Sequence, residues 1–244
     1  VAALRLSAAG LCMLPLAVQR LRARGWQAPW GKLAIAGFMG NVAPAFLFAL
    51  ALTHLHSGTS GILNSLTPLF TLVLGVLVFR ATTTRTRVAG VLLGWVGAAL
   101  LLLLKDAPHK ADSNLAYGLL IVVATVGYGF NTNFIKQKLG PYLSATDLTS
   151  MVMLLAGIPG IIVLLGTDAI SRTLETPGAG QSLAAVLVLG VFGTAISTLV
   201  FIRLLQLSDP LFAASVTYFM PVIALGFGVW DGEPIGFGDL AGLG

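Results

Sequence analysis

The chain has 244 residues, 57% hydrophobic and 9% charged, and a mean hydropathy of +0.93. A soluble domain carries roughly 25% charged residues, so this chain cannot cover a water-facing surface and its solvent is lipid. The formal charge of +5 sits in short clusters between apolar blocks rather than along one amphipathic face, which argues against nucleic acid as a partner.

Apolar blocks of the length that crosses a bilayer core, roughly 20 residues, predict spans at residues 2–18, 33–52, 60–79, 88–104, 115–135, 149–165, 183–205 and 211–230. A ninth block begins near Phe237 and reaches the end of the sequence. Lipid cannot satisfy exposed backbone groups, and the alternating pattern of a barrel strand is absent, so these spans are read as α-helices. The first block lacks the small-residue cleavage site of a signal peptide, and Arg5 precedes its apolar stretch only closely. Starting at Val1 and stopping at Gly244 inside a segment turning apolar again, the sequence reads as a piece of a longer protein. Cys12 is the only cysteine, which leaves no internal disulfide, no cysteine metal site and no evident cofactor site.

Loop Lys and Arg stay on the cytoplasmic side. One set of alternate connections holds Arg20, Arg22, Arg24 and Lys32, then Arg80, Arg85 and Arg87, then Lys136 and Lys138, then Arg203. The other set holds His54, His56, Lys105, Asp106, Lys110, Asp112, Asp168, Arg172, Glu175, Asp231 and Glu233 and is short of positive charge. The first set is expected to face the cytoplasm.

Slid against itself, the sequence gives a gapless match at an offset of 153 residues: Gly37 on Gly190, Gly40 on Gly193, Phe48 on Phe201, Pro68 on Pro221 and Gly75 on Gly228. The ordered Gly, Gly, Phe, Pro, Gly series carries more weight than shared Leu and Val, because these residues punctuate helices. The loop with Arg80, Arg85 and Arg87 corresponds to the loop with Asp231, Glu233 and Asp239, so equivalent loops are expected on opposite sides. That requires an odd number of spans per copy, the inverted topology of many secondary transporters. The expected architecture is an all-α polytopic membrane protein of two inverted five-helix repeats, residues 1–107 and 112–244. The first helix and most of the tenth would lie beyond this sequence.

The residues Asn64-Ser65-Leu66-Thr67-Pro68-Leu69-Phe70, then Gly75, then Arg87-Val88-Ala89-Gly90-Val91-Leu92-Leu93-Gly94 resemble the end of the first repeat of the EamA family in the drug/metabolite transporter superfamily. Tyr218-Phe219-Met220-Pro221-Val222, Gly228 and Gly232-Glu233 resemble the same region of the second repeat, and Leu4-Arg5 fits the family's second helix. The resemblance covers essentially the whole chain and is specific to the family, not to a substrate. Arg80 departs from the glycine-glutamate turn common there. What the resemblance implies is a ten-helix transporter that exports or exchanges small metabolites through a central cavity.

Within the spans, Pro68 and Pro221 each remove a helical hydrogen bond and release the carbonyls of Asn64 and Thr217. Paired interruptions in two repeats are a pointer to a transporter site, and both prolines are candidate hinges; packing kinks are the alternative. Ser60, Asn64, Thr67 and Thr71 form a polar stripe at helical spacing, which either lines a cavity or bonds to a neighbouring helix. Asn41, Thr194, Ser197, Thr198, Thr217, Tyr218, Tyr128 and Asn131 are the matching substrate-binding candidates elsewhere. Arg5 is a charge within a span: it either snorkels to the interface or faces a cavity, where it would suit an anionic or zwitterionic substrate.

Gly90 and Gly94 have the spacing that permits close helix approach, within the chain or in a homodimer. Gly58-Thr59-Ser60-Gly61 resembles the nucleophile loop of rhomboid-type proteases, but His54, His56 and His109 offer no general base on a later helix. The expected function is alternating-access transport of a small metabolite or drug-like molecule across a plasma membrane, without covalent chemistry. A nucleotide-sugar or sugar-phosphate exchanger is the runner-up, and an intramembrane serine protease or a non-transporting scaffold the remote alternatives.

Overall fold

The computed structural model describes residues 1–24, 28–55, 57–104, 115–168, 179–220 and 223. Pro221, His56, His109, the acidic loop at Asp231 and Glu233 and the segment from Phe237 lie outside the described residues. Among the described residues every regular element is helical. Five continuous runs are long and apolar enough to cross a membrane: Ala2–Ala23, Trp30–Ala51, Ala116–Leu139, Ala145–Leu165 and Ala179–Leu207. The chain divides into two compact units, Val1–Phe46 with Phe134–Asp209 and Leu47–Asn133 with Pro210–Gly244, and each unit draws on both halves of the sequence.

The first unit is built on α1 (Ala2–Arg24) and α8 (Ala145–Leu165). The expected start of the α8 span, residue 149, is four residues late. Ser144 caps the helix by accepting the Asp147 N–H at 3.1 Å, the Ser-x-x-Asp pattern of a helix start. The two helices run antiparallel. Ala3 and Ser7 of α1 lie against Gly160, Gly10 lies against Gly157, and Arg20 at the far end of α1 reaches Asp147 at 3.2 Å. A Cβ added at Gly10 would stand 2.9 Å from the Gly157 Cα, and one at Gly157 would stand 3.0 Å from the Gly10 Cα. Lipid tails are as apolar as leucine, so helices in membranes associate through such close contact rather than through the hydrophobic effect.

Two further helices join this pair in the same manner. α2 (Trp30–Gly37) continues through a π-helical segment, Phe38–Val42, into α3 (Ala43–Ala51), and α9 (Ala179–Gly190) continues through a second, Val191–Ile196, into α10 (Ser197–Leu207). The two π-segments begin 153 residues apart. A Cβ at Gly37 would meet the Val152 carbonyl of α8 at 3.3 Å, and one at Gly190 would meet the Arg5 carbonyl of α1 at 2.9 Å. These contacts are reciprocal: Arg5 and Val152 are 147 positions apart, as are Gly10 and Gly157.

A third π-segment, Ile135–Leu139, extends α7 (Leu115–Phe134). From it the Lys136 ammonium donates to the carbonyls of Leu205 (2.9 Å), Gln206 (3.1 Å) and Ser208, closing the C-terminal end of α10. The last carbonyls of a helix lack intrahelical partners and carry partial negative charge, so a cation there satisfies both needs. Gln206 Nε2 donates to the Leu143 carbonyl at 2.8 Å and ties the same end to the turn before α8.

In the second unit, α4 (Ser57–Asn64) and α5 (Thr67–Leu77) replace the single span expected over residues 60–79. Pro68 therefore does not kink a continuous helix but sits in the first turn of a new one, where its missing N–H would be without an intrahelical partner anyway. The equivalent region has a similar break: α11 (Pro210–Ser215) gives way to a 3₁₀ turn, Val216–Tyr218. α4 and α11 begin 153 residues apart. α6 (Arg85–Leu104) and α7 complete the unit. His54 stacks on Tyr117 with ring centroids 3.9 Å apart, above a small core of Ala51, Leu55 and Ile121.

Candidate functional site

Of the expected polar stripe, Ser60, Asn64, Thr67 and Thr71 are all buried in the second unit. The Asn64 carbonyl, which Pro68 cannot engage, accepts the Thr67 hydroxyl at 2.7 Å, and the Thr67 carbonyl accepts the Thr71 hydroxyl at 2.8 Å. The Thr67 side chain thus satisfies the carbonyl that the break releases, while Thr71 bonds back within α5. Asn64 Nδ2 donates to the Met220 sulfur at 2.8 Å, and α11 packs against α5, so the two interrupted spans meet inside this unit.

A residue outside the expected set anchors the stripe. Asn133 of α7, 2% exposed, donates through Nδ2 to the carbonyls of Thr71 and Gly129, both at 2.9 Å. Gly129 makes this possible: a Cβ there would stand 2.7 Å from the Thr71 nitrogen, so α5 and α7 touch backbone to backbone. Asn131 is also buried, yet its Oδ1 has no hydrogen-bond partner among the described residues. Tyr128 lies one turn earlier on α7, its ring centroid 6.2 Å from that of Phe48.

Tyr218 leans on α6. Its hydroxyl donates to the Val91 carbonyl at 3.1 Å and its ring fills the space over Gly94, where a Cβ would fall 2.7 Å from the ring. A ligand reaching Tyr218 would meet its ring and its oxygen lone pairs, because the hydroxyl proton is already committed. Gly94 therefore receives a ring within the chain, while a Cβ at Gly90 would meet nothing within 4 Å. The Thr217 hydroxyl donates back to the Ala214 carbonyl at 2.9 Å. His54 is occupied by Thr53 Oγ1 at 2.6 Å and by the Tyr117 ring.

The remaining candidates belong to the first unit. Asn41 and Thr194, equivalent at the 153-residue offset, each lie inside a π-segment. Such segments interrupt the regular backbone ladder and are frequent at functional sites; the Thr194 hydroxyl takes the Leu189 carbonyl at 3.2 Å. Arg5 is half-buried on α1, and its Nε is buried with no hydrogen-bond partner among the described residues. Among the described residues no cluster of His, Cys, Asp and Glu has the form of a metal site.

Sequence reasoning missed Asn133 and Asp147 and read Lys136 only as a loop charge. Asp147, 2% exposed, carries the ion pair with Arg20 at the start of α8. The Ser144-Ala145-Thr146-Asp147 pattern was its available signal.

An uncharacterized transporter of Archaeoglobus fulgidus is 28% identical over 215 residues, a match spanning 87% of this chain and 73% of that protein. A solved crystal structure, described only as that of a protein, superposes on 99% of this chain and 82% of its own at a TM-score of 0.73. With 17% identity, that likeness is one of fold. The model of the EamA-like transporter family matches residues 1–103 and 115–244. The chain belongs to this family and is a multi-pass membrane transporter.

Proposed function

We propose that the chain moves a small metabolite or drug-like molecule across the plasma membrane by alternating access, as an exporter or exchanger, and that it is built from two inverted five-helix copies, residues 1–107 and 112–244. The observation that carries this reading is the reciprocal packing in the first unit. Gly37 meets α8 as Gly190 meets α1, while α1 and α8 cross antiparallel at Gly10 and Gly157. Two copies related by a pseudo-two-fold axis in the membrane plane would give this pattern, which is the design of many secondary transporters. The substrate pathway is assigned to Asn64, Thr67, Thr71, Thr217, Tyr218, Tyr128 and Asn131 in the second unit and to Asn41, Thr194 and Arg5 in the first, with Pro68 and Pro221 at the interruptions.

The direct test is uptake into liposomes by the full-length protein, screened over amino acids, nucleobases, sugars and organic cations. Replacing Asn64 with Leu removes the amide beside the break while leaving volume nearly unchanged. Uptake should fall roughly tenfold, about 1.4 kcal/mol, at unchanged abundance. A fall only in step with abundance would make the stripe a packing feature. For topology, single cysteines near Arg22, Arg85, Lys136 and Arg203 in a Cys12→Ser background should resist an impermeant thiol reagent in intact cells. Those near Ser57 and Thr176 should react, and the reverse pattern would overturn the orientation.

A further inference from the structure

We propose that the transported molecule carries an anionic group, a carboxylate or a phosphate, and that Arg5 is the residue that recognises it. This rests on the transport reading above and adds the substrate class.

Depth is the first observation. The Arg5 carbonyl lies against Gly190, and Ala3 and Ser7 on either side of Arg5 lie against Gly160. Gly160 is about 8 Å from the end of α8 at Leu165, and Gly190 is about 10 Å beyond Leu183, where the apolar run of α9 begins, at about 1.5 Å rise per residue. Arg5 is therefore flanked by membrane-spanning helices well inside the apolar layer. Its Nε is buried rather than laid along a lipid-facing surface, so the stem does not simply snorkel along lipid to water.

Charge is the second. Arg5 is in no ion pair and donates no side-chain hydrogen bond among the described residues. The described carboxylates of its unit are elsewhere: Asp147 is held by Arg20 at the far end of α1, Asp209 follows α10, and Asp168 lies beyond the end of α8. A cation at this depth needs a compensating anion.

The third observation separates recognition from packing. Val152 occupies the place on α8 that Arg5 occupies on α1, since each offers its carbonyl to the equivalent glycine. Val152 is 1% exposed and uncharged. The helix contact is thus made equally well by an aliphatic residue, and the guanidinium is not what the contact demands. A guanidinium presents planar paired donors that match carboxylate and phosphate oxygens, and an ammonium does not replace them equally.

The experiment is uptake of labelled glutamate, alanine, glucose 6-phosphate, glucose and choline into liposomes holding the full-length protein, wild type and Arg5→Gln and Arg5→Lys, each corrected for reconstituted amount. The expected result is uptake of one or more of the three probes bearing a carboxylate or phosphate, at least tenfold lower in Arg5→Gln and partly retained in Arg5→Lys. Uptake confined to glucose or choline overturns the inference and leaves the transport reading standing. Anion uptake that Arg5→Gln leaves unchanged, or lowers only in proportion to abundance, also overturns it and makes Arg5 a structural residue. If Arg5→Gln does not accumulate, Arg5→Lys decides: full wild-type uptake per molecule counts against recognition by the guanidinium, and a severalfold rise in KM supports it. No uptake of these five probes by a protein that takes up a nucleobase or another organic cation in the wider screen overturns the inference and leaves the transport reading standing, and no uptake in the wider screen either removes both.

Discussion

At the crossing of α1 and α8 the backbones come so close that neither Gly10 nor Gly157 has room for a methyl group. In the second unit α5 and α7 also touch closely, at Gly129, but there the contact is locked by the Asn133 amide spanning Thr71 and Gly129. Ser7 of α1 and Thr149 of α8 hold buried hydroxyls with no partner among the described residues, and the Ser150 hydroxyl donates within α8 itself, to the Asp147 carbonyl at 3.0 Å. One unit thus rests mid-membrane on shape, and the other on shape reinforced by hydrogen bonds. Dispersion contact in a membrane depends on every atom of the fit. A hydrogen bond there contributes only about 0.6 kcal/mol on average and up to about 1.7. The shape-only contact should be the more fragile of the two.

The largest expected effect follows at once. Gly157→Val should cost about 3 kcal/mol or fail to accumulate, because its Cβ has only the Gly10 backbone to displace. Thermal unfolding of the purified protein in detergent reads it. Wild-type behaviour would mean that α1 and α8 are not held at this crossing.

Asn133→Leu comes next, at about 1–2 kcal/mol in the same assay, since two acceptors lose a shared donor but the close approach at Gly129 survives. If it proves costlier than Gly157→Val, the ranking of shape over hydrogen bonding is wrong. Within the same unit, Gly94→Ala should destabilise by about 1 kcal/mol by pushing on the Tyr218 ring. Gly90→Ala, with open space, should be neutral or gain up to about 1 kcal/mol from better helix propensity. Equal effects at the two glycines would show that Tyr218 does not rest on α6.

The contrast also explains what the sequence could disclose. Hydrophobic blocks locate the five long apolar runs among the described residues, and the repeated Gly37 and Gly190 do mark close helix contacts. The crossing glycines escape a gapless comparison at 153 because α1 and α8 are in register at 147, six positions away. A proline reads identically whether it kinks a helix or opens one, so the break between Asn64 and Thr67 was not legible from Pro68 alone. Asn131 and Asn133 are two positions apart on a helix, where successive residues point in different directions. Composition cannot tell which of the two amides finds acceptors and which leaves its oxygen free.

The smallest expected effect concerns Arg80, where the sequence departs from a glycine-glutamate turn. Its φ is 53°, the one positive φ at a non-glycine residue among the described residues, a conformation that costs a residue with a Cβ roughly 1 kcal/mol. The position is not incidental. The Phe79 N–H bonds to the Leu74 carbonyl at 3.1 Å and the Ala81 N–H to the Gly75 carbonyl at 2.8 Å, so the left-handed turn between them closes the C-terminal end of α5. Arg80→Gly removes the steric cost but also loosens the unfolded chain, which offsets part of the gain. The net should be a stabilisation of about 0.5 kcal/mol. Arg80→Ala deletes the same charge while keeping the Cβ, so it should not share the gain. Arg85 and Arg87 remain in both variants to hold the loop on its side of the membrane. Equal thermal midpoints for the glycine and alanine variants would show that the charge, not the backbone, sets the stability of this turn.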